Sequence, residues 1–185
     1  MKRIITAAVA VILFAAILTS GASAAGYFDP QLRRQEAAHA VAETARAYGY
    51  AEDSAVIQAA SADWWAAQDE INRDMELLTR VVWCEAGSDR LPDRQQQLVA
   101  CVVLNRCADP RFPSTIQEVV YAPKQYSCTS WLYRDPWSSI PARCYENARA
   151  AAFGEVDCPA CVVWQSGGFQ GVGLYCKIGN TYFCY

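Results

Sequence analysis

The sequence predicts an α+β fold, mainly α, in which a helical body closes on a small C-terminal β-hairpin. Three observations predict it. Apolar residues recur at helical spacing through the middle of the chain. The segment from Cys161 to Tyr185 turns glycine-rich, with short β-branched and aromatic runs. All nine cysteines lie between Cys84 and Cys184, so texture changes sharply near that point. The expected organisation is a leader over 1–24, an Ala-rich helical arm or linker over 25–72, and one domain over 73–185.

The leader has the form of a signal peptide. Lys2 and Arg3 precede an apolar stretch from Ile4 to Leu18, about 15 residues long. Ala22-Ser23-Ala24 supplies an A-x-A site, with cleavage expected after Ala24. An uncleaved anchor is the competing reading, but the run falls short of the roughly 20 residues that cross a bilayer. Export therefore places the chain outside the cell or in its envelope, with membrane contact only through an uncleaved leader. About 160 residues remain after cleavage, enough for one domain of ordinary size.

The formal net charge is −3 for the whole chain. Loss of the basic leader residues makes it more negative, which leaves no electrostatic footprint for nucleic acid. Cysteines at this density in an exported chain read as a disulfide framework. Nine is an odd number, so at least one is left over. Sequence does not set the connectivity; the nearest local pairing is Cys176 with Cys184, around a turn at Ile178-Gly179-Asn180.

The elements follow in order. Pro30 to about Ser61 has the composition of exposed helix, and Gly49 divides it. A second helical run is expected from about Asp63 to Ala86, with Leu78, Val81, Val82 and Glu85 on one face. Gly87 stands where a helix commonly stops. Pro92 to Arg106 reads as the next helix, with Leu98, Cys101, Val102 and Asn105 on one face. A short helix over 114–121 would be capped by Ser114, with Gln117 as its capping-box partner. The stretch 123–141 is loop-like and aromatic, and a last helix is expected from Ala142 to Phe153. Val162-Val163-Trp164 and Asn180-Thr181-Tyr182-Phe183 supply the strands.

The chain contains one histidine, His39, and it falls in the Ala-rich arm. That removes the base of a Ser-His-Asp or Cys-His arrangement and most ligands of a catalytic zinc site. On such a helix a solvated surface role is the plainer account. Cys158-Pro-Ala-Cys161 lacks the βαβ setting of a redox motif. With Cys176 and Cys184 it would form a structural zinc site, but disulfides suit an oxidising compartment better. No metal and no cofactor is expected.

Carboxylate chemistry survives, and Glu85 is the first carboxylate to consider. Apolar neighbours on its stripe and the negative end of the helix dipole both favour a protonated carboxyl. A protonated carboxyl is what a general acid needs. The plainer alternative is a glutamate facing water at a frayed helix end, and residue types alone do not separate the two. Asp89, Asp93, Asp109 and Glu118 sit in polar surroundings and read as surface charges.

Four stretches occur in a fixed order: Leu78–Gly87 with its Glu-Ala, Gln97–Arg106 ending Val-Leu-Asn-Arg, Phe112–Val120 with Gln125-Tyr126-Ser127 close behind, and Ile178–Phe183. Together they resemble the SleB-like cell wall hydrolase family, the catalytic-domain family of spore cortex-lytic enzymes, over roughly residues 75–185. The resemblance implies a lysozyme-like helical fold, peptidoglycan glycan strands as the partner, and cleavage between N-acetylmuramic acid and N-acetylglucosamine. It maps the family glutamate onto Glu85. It nominates Asn105, Gln125, Tyr126, Ser127, Asn180, Tyr182 and Phe183 as residues that contact substrate. Asn105 would orient Glu85 or hold an acetamido group, or else make a structural hydrogen bond. Trp131, Tyr133 and Trp137 would stack on sugars or pin their loop, and Arg106 would make a structural ion pair. Two departures stand out: Tyr126 replaces the family phenylalanine, and Thr181 replaces a histidine.

The mechanism so implied is that of a lytic transglycosylase, with one glutamate acting first as acid and then as base. A zinc amidase is a poor alternative because the histidines are missing. A non-catalytic wall-binding module is the alternative from another class.

Overall fold

The computed structural model describes residues 26–185, so the expected leader over 1–24 lies outside the described residues. Among the described residues no helix is long and apolar enough to cross a membrane. They fall into two units, one over Phe28–Asn72 and one over Arg73–Tyr185 that also takes in Gly26 and Tyr27.

The first unit begins with α1, Asp29–Ala47, which has Pro30 in its first turn and Arg46 in its last. Both suit their ends of the helix dipole and its unpaired N–H groups. Gly49 turns the chain with a φ of 80°, a left-handed value that favours glycine. The next helix, α2, is Ala55–Ala86, 32 residues without interruption. Two expected helical pieces are therefore one, because no Gly or Pro lies between Ala55 and Ala86 to break it. Val41 and Ala42 of α1 pack with Val56 and Ala60 of α2. Arg34 bridges Asp63 at 2.6 Å and Glu70 at 2.8 Å. Half-exposed pairs of this kind contribute ~1 kcal/mol or less, so the small apolar seam carries the contact. His39 is exposed on α1.

In the second unit, the helix α3, Asp93–Ala108, forms the centre. Every residue from Leu98 to Arg106 on it is buried, not one face alone. A helix that is apolar around its circumference must be covered on all sides. The short helix α4, Ile116–Tyr121, contacts it, as does α5, Ala142–Ala152. Thr115 caps α4 rather than Ser114: its Oγ accepts from the Glu118 N–H at 3.2 Å and donates to the Glu118 carboxylate at 2.8 Å. Ile116, Val119 and Val120 are thereby turned into the core.

The tail forms three antiparallel strands, β1 Trp164–Ser166, β2 Leu174–Ile178 and β3 Thr181–Cys184, in the spatial order β1-β3-β2. The expected hairpin is β2–β3, and β1 adds to its other edge. Gln165 pairs with Phe183, and Cys176 pairs with Phe183 from the opposite side, beyond a bulge between Leu174 and Cys176. Phe183 is completely buried.

The segment between α4 and α5 contains two 3-10 turns, Ser127–Trp131 and Trp137–Ser139. It is held to α2 by Arg80, which is 5% exposed. Arg80 Nη1 donates to the carbonyls of Leu132 at 3.1 Å and Asp135 at 3.0 Å. Its other edge meets Glu76 at 2.8 Å. The guanidinium also lies 4.4 Å from the Tyr133 ring centroid and 5.7 Å from that of Trp137. Tyr133 and Trp137 thus pin the loop, while 57% of one and 44% of the other stay exposed.

Two outcomes are expected. Arg80→Met leaves the Leu132 and Asp135 carbonyls without their donor and should cost about 2–4 kcal/mol, read as a lower urea midpoint. Gly87→Ala drives a Cβ into the Trp83 carbonyl and ring. Overpacking of this kind costs about 1–3 kcal/mol and should lower the melting temperature.

Candidate active site

The end of α2 is built to stay in place. The Gly87 N–H closes the last turn on the Trp83 carbonyl at 2.9 Å. Gln96 of α3 is wholly buried and donates to the Ala86 carbonyl at 3.0 Å. Asn147 of α5 in turn donates to Gln96 at 2.9 Å and to Asp93 at 2.9 Å. The Arg143 guanidinium, helped by Asn147, holds the Asp93 carboxyl below the usual range. A helix terminus normally leaves carbonyls without partners, and here a buried amide answers one of them.

Glu85 projects from this last turn and is exposed. The expectation of a carboxyl dried by its own helix stripe is therefore corrected. Leu78, Val81 and Val82 are each 0% exposed, but the stripe leaves the core in the final turn, where the chain departs at Gly87. Glu85 stands at the rim of the packed interior.

Its surroundings come from a distant part of the chain. Cys128, in the first 3-10 turn, is near enough to Glu85 and Cys84 to feel the charge of each. Burial, and then the charge of Glu85, push the Cys128 thiol up. Cys84 is likewise pushed up, chiefly by burial. Tyr126 is buried, and burial raises its phenol; Arg106 opposes the shift and Glu85 adds to it. Its hydroxyl has no hydrogen-bond partner among the described residues. Asp135 accepts from Trp83 Nε1 at 3.2 Å and, like Glu85, acts on the Cys84 sulfur. Two carboxylates thus flank one helix end.

The other expected site residues divide. Gln125 is half-buried and Ser127 exposed, on either side of Tyr126. Asn105 is 1% exposed and donates to the carbonyls of Pro159 and Val162, each at 2.9 Å. Both amide hydrogens are used, so Asn105 is a structural tie that holds the segment before β1 against α3. Phe183 is a core residue, shut away from any ligand. Asn180 is exposed in the β2–β3 turn, and Tyr182 lies 4.6 Å beneath the Lys177 ammonium. Thr181, at the position of the family histidine, accepts from Gln95 at 3.0 Å.

Arg106 corrects another expectation. In place of an ion pair, its Nε donates to the Val163 carbonyl at 2.8 Å, and the guanidinium lies within 6 Å of the Phe112, Tyr126 and Trp164 rings. A buried guanidinium among ring faces avoids the cost of burying a carboxylate beside it. The pairing of Cys176 with Cys184 does not fit the sheet register. Cys176 stands opposite Phe183 and Cys184 opposite Leu174, so the two thiols do not face each other across the ladder. Among the described residues no group of three or more His, Cys, Asp or Glu side chains is arranged to hold a metal ion.

Sequence reasoning passed over Gln96, Cys128 and Asp135. Gln96 carried a signal, since it lies at helical spacing from Val99, Ala100 and Val103 and so faces inward. Nothing local marked the other two, whose roles arise only where the 127–135 segment meets α2.

Residues 91–172 match the model of the family described as Cell Wall Hydrolase. The matched stretch starts after α2, so it contains the scaffold of the site and not Glu85. No curated protein matches the chain. Among solved structures, the crystal structure of the catalytic domain of the Bacillus cereus SleB protein is similar in fold, with a TM-score of 0.50 at 20% identity. The alignment covers 62% of this chain and 91% of that one. The second unit thus carries a match to the cell wall hydrolase family over residues 91–172 and has a fold similar to that of the SleB catalytic domain.

Proposed function

We propose that this domain cleaves the glycosidic bond between N-acetylmuramic acid and N-acetylglucosamine in peptidoglycan, as a lytic transglycosylase with Glu85 as its acid and base. The carrying observation is the position of Glu85: an exposed carboxyl on a helix end that Gln96 and Asn147 hold from below. A general acid must reach a substrate oxygen and keep its aim, and this arrangement supplies both. A glycan strand laid over the helix end would exclude water from the carboxyl, which the free protein leaves open.

In the forward step the protonated carboxyl of Glu85 gives its proton to the leaving glycosidic oxygen as the C1–O bond breaks. The carboxylate then takes the proton of the muramyl 6-hydroxyl, whose oxygen closes on C1 to form a 1,6-anhydro ring. Glu85 ends protonated, ready for the next strand. Trp131, 46% exposed at the end of the Ser127–Trp131 turn, offers a ring face for a sugar. The expected leader would carry the domain to the envelope, where such strands lie.

Asp135 favours a second reading, hydrolysis by two carboxylates. In it Glu85 remains the acid and Asp135 activates water. Muropeptide mass spectrometry separates the readings: anhydro-muramyl ends mean transglycosylase, reducing ends mean hydrolase, and free stem peptides mean amidase.

Glu85→Gln keeps the shape of the side chain and removes its acid. Cleavage should fall at least about 10²-fold with an unchanged melting curve. Activity near that of the parent protein would overturn the assignment.

A further inference from the structure

Three exposed rings of the second unit gather in one place. Tyr133 and Trp137, fixed to α2 through Arg80, are joined by Tyr145 of α5, which is also exposed. Trp137 and Tyr145 meet edge to face, with ring centroids 6.4 Å apart and planes at 84°. The Trp137 carbonyl accepts from the Ile140 N–H at 3.1 Å, so the backbone beneath that ring is closed as well. Rings held in this way lose little freedom when a ligand arrives.

Two carboxylates border the rings. Glu76 meets Arg80 at 2.8 Å, and Asp135 accepts from Trp83 Nε1 at 3.2 Å. Their side chains nevertheless stay 42% and 41% exposed. An apolar helix or a lipid laid over this face would dry both carboxylates without answering them, which is costly. A sugar suits both features. Its C–H faces lie on rings, and its hydroxyl and amide hydrogens point outward to carboxylate oxygens. Tyr133, Trp137 and Tyr145 all fall within residues 91–172, the stretch that matches the cell wall hydrolase family. Arg80 and Glu85 are five positions apart on α2, about 140° around the helix and roughly 7 Å along it. The rings over Arg80 therefore look to a different side from the candidate acid.

We propose that Tyr133, Trp137 and Tyr145 form a second glycan-binding surface, which takes N-acetylated sugars of a peptidoglycan strand away from the bond that is cut. Its effect is to keep the domain on insoluble wall between cleavages. The surface rests on the peptidoglycan reading of this domain, and not on Glu85 as the acid.

Two measurements on the full chain carrying Glu85→Gln test it: retention by purified peptidoglycan sacculi, and titration with a soluble N-acetylglucosamine hexamer followed by tryptophan fluorescence. Retention and a saturable fluorescence change are expected. Tyr145→Ala leaves every Arg80 contact in place and should weaken both about 3- to 10-fold without moving the melting curve. Tyr145→Phe, which keeps the ring, should bind as the parent does. Trp137→Ala should weaken binding to a similar degree. Parent-like binding by both alanine variants would overturn the proposal, and so would a chain that sacculi do not retain. Retention with no response to the hexamer would assign the face to stem peptides and overturn it too. The two readings fail separately. Cleavage that survives Glu85→Gln counts against the acid and spares this surface, whereas cleavage lost in that variant without ring-dependent binding does the reverse.

Discussion

The candidate site depends on one buried guanidinium. Arg80 sits inside the second unit and reaches across to two loop carbonyls more than fifty residues later in the chain. A peptide loop has little periodic hydrogen bonding of its own, so its shape must come from elsewhere. Arg80 supplies it with donors at Leu132 and Asp135 and with a flat face for Tyr133 and Trp137. A lysine would not serve, because a point charge lacks both the fork and the stacking plane. With the loop held, Cys128 and Asp135 come to the end of α2.

From the other side, α3 and α5 set the height of that helix end. The relay from Asn147 through Gln96 to the Ala86 carbonyl is fully buried at its middle member. Buried polar groups are stable only when each is answered, so the relay specifies one arrangement and penalises slippage. Glu85 thereby gains a fixed origin while its carboxyl stays open. Stability and reactivity are divided between neighbours: Ala86 is locked by its backbone, and Glu85 is left to its ligand.

Arg106, expected from sequence to make an ion pair, makes none among the described residues, and Arg80 departs from a simple pair as well. Arg106 is enclosed by three rings and a carbonyl, and Arg80 shares one carboxylate with two carbonyls and two rings. Burial explains the preference. A paired carboxylate must itself be desolvated, whereas ring faces and backbone carbonyls are already part of the interior. Asn105 follows the same rule, spending both amide hydrogens on carbonyls of the segment before β1.

Much of the fold was legible in the residues themselves. Helical periodicity located α3 and α5 and the end of α2, and the glycine-rich tail announced strands. Those signals are local: they follow from side-chain spacing and backbone freedom within a few residues. The family motifs added an order and nominated Glu85. Tertiary structure alone decided that α2 runs unbroken through the expected gap, that α3 is covered on every side, and that Asn105 and Phe183 belong to the interior. It alone brought the segment with Cys128 and Asp135 to the end of α2, and it alone showed Glu85 outside the core that its stripe led towards. The physical reason is the same in each case. Burial and hydrogen-bond partners are properties of segments that meet in space, and spacing along one helix cannot report what a loop fifty residues away will lay against it.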